Sequence, residues 1–492
     1  MAPLKLAVVG GGPSSFYVAS RLLSLLPQTS VRGENLRVHM YDRLWAPHGL
    51  VRYGVAPDHP EVKNCTHKFD QAAMDPRFRF FGNIHVGARP STIIPHARSI
   101  SLSSLAPHYT HLLFATGCTV PTFHPALPAS DLVVPALSFV HWYTQHPSRP
   151  RIPSLEKIEH VTLIGQGNVS LDVARILLTS PSVLEKYDVP ETVLEILRRS
   201  AVKHVSIVGR RGPLEAAFTV KELREMMNLS EASMVPLDPS LLEPPPDTKL
   251  NRQQTRTLQL LRKGSVNEHG KTPKTWSLDF FRSPTGLAPP SPSSPAANLT
   301  LAHTSLDSSN HAIPTGQTST LATNLVVTSL GHRSDPTQEF YDPALAHLRT
   351  LSGRVVSAEG HVVRNVYASG WAAMGAKGVL ASTMMDAYAV ADTILSDQFP
   401  DAAEGEGVQT THAPARGAEG VLEDAVEGLG LGKDVDLENV PEEVERGVME
   451  GEVTQYGDWK RVDEEEVRRG EVLGKERERM GWEEAREFLR KA

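Results

Sequence analysis

The sequence predicts an α/β fold with two doubly wound, Rossmann-like dinucleotide-binding domains. Three observations point there. Two apolar runs, 6–9 (LAVV) and 161–164 (VTLI), each lead into a glycine-rich loop, 10–15 (GGGPSS) and 165–170 (GQGNVS). Each loop opens a helix-like stretch. Strand-like and helix-like runs then alternate from Lys5 to about Gly117, as in an open, mostly parallel sheet covered on both faces.

In the first unit, Gly10 and Gly12 permit a tight turn and a close approach of backbone to phosphate. The N–H groups at the following helix N-terminus suit a pyrophosphate. The helix-like stretch runs through Leu26, and the next strand-like run, 36–41 (LRVHMY), ends on Asp42. A carboxylate at that place accepts hydrogen bonds from ribose hydroxyls. Residues 109–117 (YTHLLFATG) read as a buried strand, and the proline-rich 120–128 as a linker.

A second βαβ unit starts near His160. Its loop carries Gly165 and Gly167, and its second strand, 204–209 (HVSIVG), ends on Arg210 and Arg211. A pair of arginines suits a 2′-phosphate rather than a ribose hydroxyl. The chain is therefore expected to hold two dinucleotides, one of them NADP(H). Gly165 and Arg210 are 45 residues apart. The usual separation is about 20, so a helix, read at 192–199, is inserted before the strand. The first unit is also stretched, with 32 residues from Gly10 to Asp42.

Two low-complexity segments, 241–247 (LLEPPPD) and 284–295 (PTGLAPPSPSSP), are expected to be mobile loops. Residues 324–333 read as the strand returning from the second domain. Residues 363–370 read as another, followed by Trp371 and the glycine-spaced run 374–380. A helix is expected over 381–395, a Gly/Ala/Glu-rich linker over 402–420, and an acidic, partly helical tail beyond it.

The composition suits a globular protein: 492 residues, 40% hydrophobic and 22% charged. A net charge of −7 argues against nucleic acid as a partner. No apolar run reaches the ~18 residues of a membrane span. The first strand begins close to Met1, which leaves no room for a signal or transit peptide ahead of it. The two cysteines, Cys65 and Cys118, form no C-x-x-C. That excludes a disulfide framework, a four-cysteine metal or iron–sulfur site, and the redox dithiol of disulfide reductases. No resident metal is expected.

Four stretches resemble the adrenodoxin reductase family, the mitochondrial ferredoxin–NADP reductases and their bacterial relatives. They are 49–64 (GLVRYGVAPDHPEVKN), 165–177 (GQGNVSLDVARIL), 209–226 (GRRGPLEAAFTVKELREM) and 456–475, which contains DWKRVDEEEVRRG. The resemblance implies FAD in the first domain, NADPH in the second and a [2Fe–2S] ferredoxin as electron acceptor. It implies an FAD domain split into 1–118 and 330–400 around an NADP domain at 119–329. A linker at 401–422 and a C-terminal segment, 423–492, packed on the FAD domain complete it. Carried over residue by residue, FAD contacts fall on Ser14, Asp42, Leu50, Val86, Trp371, Gly378, Val379 and Leu380. NADP contacts fall on Gln166, Gly167, Asn168, Val169, Arg210, Arg211 and Glu222, with Gly378 shared.

The family pattern also places His59 near the flavin, hydrogen-bonded to the carboxylate aligned with Asp172, as a proton relay. A His–Asp pair suits that task near neutral pH. Trp371 is expected to stack near the isoalloxazine. Arg252 and Arg256, four apart on one helix face, would dock an acidic ferredoxin. The chain departs from the pattern at Ser15, at Asp42 where Glu is more usual, and at Ala372–Met374, often basic in relatives. By family, a mitochondrial location on the matrix side of the inner membrane is implied, with a monomer and peripheral membrane association; the missing presequence leaves a cytoplasmic location open. Two other readings fit the same motifs: an FAD/NADPH-dependent monooxygenase, and a dinucleotide-sensing protein without turnover.

Overall fold

The structure, a computed structural model, describes residues 2–400 and 424–491 except 153, 247 and 293. The linker expected at 401–422 lies outside the described residues. Leu4–Val9 is buried at every position, which is why it reads as an unbroken apolar run rather than an alternating one. It pairs in parallel with Leu36–Asp42 on one side and His111–Phe114 on the other. Phe78–Gly82 extends the sheet beyond Leu36–Asp42, and Val362–Ala368 extends it beyond His111–Phe114. The antiparallel pieces Arg354–Val356 and Thr350–Leu351 complete a seven-stranded sheet. Residues before 115 and after 349 thus share one sheet.

A second, six-stranded sheet is built from the intervening chain. His160–Ile164 lies between His204–Val208 and Leu325–Thr328, and every neighbouring pair runs parallel. The expected extra helix is present as Glu191–Arg198. The two sheets are joined by two adjacent chain crossings. Val120–Pro121, inside the expected linker, pairs antiparallel with His332–Arg333. The run 324–333 is therefore two short strands, broken at 329–331, rather than one.

The first part of one expected mobile loop, 284–288, belongs to a strand. Arg282–Ala288 is a strand, paired with Ala297–Leu306, which in turn pairs with Ala312–Thr323. Pro284 sits on the edge strand, where its missing N–H costs no interior hydrogen bond. In the other low-complexity segment, Pro239–Leu242 forms one tight turn that buries Leu242.

The tail does more than cover the first sheet. Trp459, Met480 and Trp482 pack with Trp45 and Tyr53 in their own apolar cluster. Glu466 is fully buried and accepts from both terminal nitrogens of Arg52, at 3.0 and 2.7 Å. Arg479 Nε donates to Asp188 at 2.7 Å, and Lys63 reaches the same carboxylate at 3.0 Å. Asp188 belongs to the chain segment of the second sheet, so the tail clasps both halves and not the first alone. Lys5, inside the first strand, is wholly buried because its Nζ donates to the tail carbonyl of Asp436 at 2.7 Å.

Candidate active site

The two glycine loops are near copies in geometry. Gly10 N donates to Tyr41 O at 2.7 Å and Gly165 N to Val208 O at 2.9 Å, so each loop is tied to the neighbouring parallel strand. Both residues are left-handed, with φ +112° and +125°. A Cβ would meet Ala115 O at 2.4 Å at the first and Ser329 O at 2.2 Å at the second. Glycine is required at both positions on two counts. Gly12 and Gly167 then stand at the N-caps of Pro13–Leu25 and Asn168–Leu178, where no side chain caps the helix. A Cβ at either would touch nothing within 4 Å. Uncapped N–H groups with open space before them form a cradle for phosphate oxygens.

Both cradles line a single cavity of about 920 Å³. This lies near the top of the ~300–1,000 Å³ range of small-molecule sites. Gly10, Gly12, Ser14, Asp42, Leu50, Trp371 and Gly378 line it, and so do Gln166, Gly167, Asn168, Val169, Arg210 and Arg211. Asp42 accepts from Gly11 N and Leu44 N, each at 3.0 Å. Burial pushes its carboxyl up to about 6 against those two donors. Ser14 Oγ donates to Ser369 Oγ at 2.8 Å, which donates on to Asp386, fixing the loop to the start of the glycine-spaced run. Trp371 Nε1 donates to Lys377 O at 3.0 Å, closing that run on itself.

In the second loop, Asn168 Oδ1 accepts from Thr219 N at 2.8 Å, and Gln166 O from Ala217 N at 3.0 Å. These bonds brace the loop against the segment that follows the arginines. Among the described residues, no carboxylate lies within ion-pair distance of Arg210 or Arg211.

Other singled-out residues fall elsewhere. Val86 ends a short strand, Ile84–Val86, and is not in the cavity wall. Val379 and Leu380 follow Gly378 into the helix Leu380–Gln398, outside the wall. Glu222 is buried away from the wall, on Val220–Met227. Arg252 and Arg256 are exposed on Arg252–Lys263, as their spacing predicts.

His59 does not pair with Asp172. Its Nε2 lies 2.7 Å from Glu225 Oε2, and Asp172 instead faces Arg175, whose Nη2 lies 2.9 Å from its Oδ1. Arg175 also meets Asp58 at 2.7 Å, Glu222 at 3.3 Å and Glu225 at 3.1 Å. The buried guanidinium thus gathers four carboxylates, and one of them holds His59. Burial pushes the imidazole down, but the bond to Glu225 and the charge of Asp58 outweigh it, and its pKa is raised. Burial and the neighbouring Asp172 push Glu222 up to about 7. His59, Glu222 and Glu225 have the spacing of a metal site. Arg175, in contact with both glutamates, already supplies the positive charge, so a cation would meet repulsion there.

The sequence reading missed a pair of imidazoles. His141 and His146 stack with centroids 3.7 Å apart and planes 8° apart, and both line the cavity. His146 Nδ1 accepts from Ser148 N at 3.1 Å, so its neutral form carries the proton on Nε2. Burial lowers the pKa of both rings, that of His141 to about 3. The turn that presents them passes through Gln145 at φ +51°, which no local composition signals.

No family model matches the chain. It is 38% identical over 414 residues to the mitochondrial NADPH:adrenodoxin oxidoreductase of Rattus norvegicus, covering 80% of this chain and 78% of that one. The human protein of that name is 37% identical over 412 residues, with the same coverage. NADPH-ferredoxin reductase FprA of Mycobacterium tuberculosis is 34% identical over 408 residues, covering 81% and 84%. The solved structure of M. tuberculosis FprA in complex with NADPH superposes with a TM-score of 0.79 at 29% identity, over 99% of both chains.

Proposed function

The chain belongs to the NADPH:adrenodoxin oxidoreductase family, and from that premise we propose how its residues divide the work. The protein is an FAD-dependent NADPH:ferredoxin oxidoreductase. The first glycine cradle would hold FAD, which would supply the conversion between the two-electron chemistry of NADPH and the one-electron chemistry of an iron–sulfur ferredoxin. With two cysteines the chain cannot hold a four-cysteine cluster itself, so the cluster belongs to the partner. The observation that carries the division of labour is the shared cavity: two bare helix N-termini open into it, the strand after the first ends on the carboxylate Asp42, and the strand after the second ends on the arginine pair Arg210 and Arg211.

FAD is assigned to the first cradle, with Gly10, Gly12 and Ser14 at the pyrophosphate and Asp42 at the ribose. Leu50, Trp371, Gly378, Val379 and Leu380 are assigned to the far end, and Val86 to the adenine end. NADPH is assigned to the second cradle, with Gln166 to Val169 at the pyrophosphate and Arg210 and Arg211 at the 2′-phosphate. The domain division that fits is 1–118 with 330–400 for FAD and 119–329 for NADP, with 423–492 strapped across both. Glu222 acts through the Arg175 cluster in this reading. The finer identity of the acceptor, a [2Fe–2S] adrenodoxin-like protein, is supported by the relatives' names. A mitochondrial location fits the names of those relatives, and a monomer associated peripherally with the membrane is part of the same proposal. Among the described residues, no helix is long and apolar enough to cross a membrane.

His59, Asp172 and Glu225 all lie outside the cavity wall; His59 is assigned as a group that holds a proton for the reaction from behind that wall, with Glu225 in place of Asp172 as its partner. The bond to Glu225 raises the pKa of His59 and so favours the protonated imidazole, whose proton is lost as pH rises through that pKa. Ferredoxin reduction is therefore expected to fall at high pH in the wild type, and this limb disappears in His59→Gln. Glu225→Gln removes the acceptor that raises the pKa, so the limb moves to lower pH. Initial rates across a pH series check this; superimposable profiles for all three proteins would remove His59 from the role.

Arg252 and Arg256 stand exposed four residues apart on a protein of net charge −7. Such a local patch steers an acidic partner, and salt screens it within about 10 Å at 0.1 M. Reversing both to Glu is expected to lower kcat/KM for ferredoxin at least about tenfold at low salt. The NADPH-dependent reduction of a small neutral acceptor should stay unchanged. A ferredoxin rate independent of salt in the wild type would remove the patch from docking.

The test of the whole reading is NADPH-driven cytochrome c reduction with and without added ferredoxin. A large ferredoxin dependence is expected. NADPH consumption tied to hydroxylation without ferredoxin would favour the monooxygenase reading, and binding without turnover the sensing one.

A further inference from the structure

We propose that Arg282 is a third cation for the 2′-phosphate of the nicotinamide coenzyme and so a determinant of NADPH over NADH; the inference rests on placing that phosphate at Arg210 and Arg211. Arg282 stands 71 residues from Arg211 in sequence and lines the same cavity. Three hydrogen bonds place it there. Gly209 N donates to Asp279 O at 2.9 Å, Arg282 N donates back to Gly209 O at 2.9 Å, and Phe281 N reaches Arg211 O at 3.3 Å. Thr304, on the next strand, locks the arrangement: its Oγ1 donates to Arg210 O at 2.8 Å and its N to Phe281 O at 3.0 Å.

The turn that returns Arg282 to Gly209 is strained. Phe281 is left-handed at φ +54°, rare for a bulky residue and costly by roughly 1–3 kcal/mol. Its ring lies so close to Gly212 that a Cβ there would meet Cζ at 2.5 Å. Such strain persists where the surroundings over-determine it, as the five bonds above do. Arg282 Nη1 donates to Phe281 O at 3.0 Å, which anchors the guanidinium, while among the described residues Nε and Nη2 have no partner. Among the described residues, no carboxylate pairs with Arg210, Arg211 or Arg282. Three arginines whose backbones are tied together thus line one cavity with no acid paired to them among the described residues, which leaves positive charge there for an anion to meet. A phosphate monoester, carrying close to two negative charges and three terminal oxygens, matches that set.

The test uses the FAD-loaded protein and two probes, adenosine 2′,5′-bisphosphate and adenosine 5′-monophosphate. Arg282→Ala is expected to weaken the bisphosphate about tenfold, roughly 1.4 kcal/mol, and to leave the monophosphate little changed. Arg282→Lys keeps the charge and loses the planar fork, so it falls between. Without nucleotide, Tm of Arg282→Ala should stay level, because among the described residues its guanidinium makes no ion pair; a merely structural arginine would lower it. Unchanged bisphosphate affinity, equal weakening of both probes, or a lowered Tm with discrimination intact would overturn the proposal. Arg210→Ala with Arg211→Ala is run beside it. If that variant loses discrimination while Arg282→Ala keeps it, Arg282 alone is misassigned. If it too discriminates as the wild type does, the placement of the phosphate falls and this inference with it.

Discussion

Replacing Arg210 and Arg211 together by alanine raises KM for NADPH by at least about tenfold and hardly changes that for NADH. Each charge-assisted hydrogen bond to the phosphate contributes roughly 1.5–3 kcal/mol, and tenfold needs only ~1.4 kcal/mol. Solvent access weakens the first of them, since Arg210 is exposed and Arg211 half-buried. The larger figure of about 10²-fold is reached if both bonds keep about 1.4 kcal/mol each. Among the described residues neither arginine makes an ion pair, so Tm should hold. The signature is the contrast between the two coenzymes: equal loss with NADPH and NADH would mean that the arginines shape the site without reading the phosphate. Steady-state kinetics with each coenzyme at saturating ferredoxin decide it.

The largest loss of stability is expected from Glu466→Ala. Glu466 is fully buried and accepts two bonds from Arg52, one from Met480 N at 2.9 Å and a longer one from Arg477. Removing it leaves the Arg52 guanidinium, itself only 5% exposed, without its counter-charge. Breaking one side of a buried pair costs about 3–5 kcal/mol, because the remaining charge stays out of water. Glu487, in an exposed pair with Lys491, is the control, and its replacement should cost under about 1 kcal/mol. The loss should also reach the cavity. Arg52 lies in Leu50–Tyr53, whose two end residues line it. Glu466→Ala is therefore expected to release FAD more readily on dilution. Equal melting of Glu466→Ala and Glu487→Ala would show that the strap carries no stability.

The glycine loops, Asp42 and the arginine pair were legible because backbone geometry dictates them. A strand that turns into a helix under a neighbouring carbonyl admits only glycine at Gly10 and Gly165. The residue at the end of the next strand then faces the same opening. What was not legible depends on packing between distant segments. His59 meets Glu225 rather than Asp172 because Val220–Met227 packs on Asn168–Leu178 and lays Arg175 between the carboxylates. Helix spacing alone cannot choose among three acids on two helices. The strand Arg282–Ala288 hides in a proline-rich run that lacks strand periodicity, and only its partner Ala297–Leu306 defines it. The tail's double attachment turns on pairs such as Arg52–Glu466, 414 residues apart. Lys5 inside a buried strand would argue against a core position, were it not for the carbonyls of the tail that receive it.

The claim at the centre is that one cavity seats FAD and NADPH close enough for direct hydride transfer. Anaerobic mixing of the purified, FAD-loaded protein with NADPH, followed through the yellow absorbance, tests it most directly. Rapid bleaching by NADPH in a single turnover, much slower with NADH at the same concentration, is the predicted result. A protein that stays colourless after incubation with FAD, or one whose colour bleaches equally fast with either coenzyme, would contradict it.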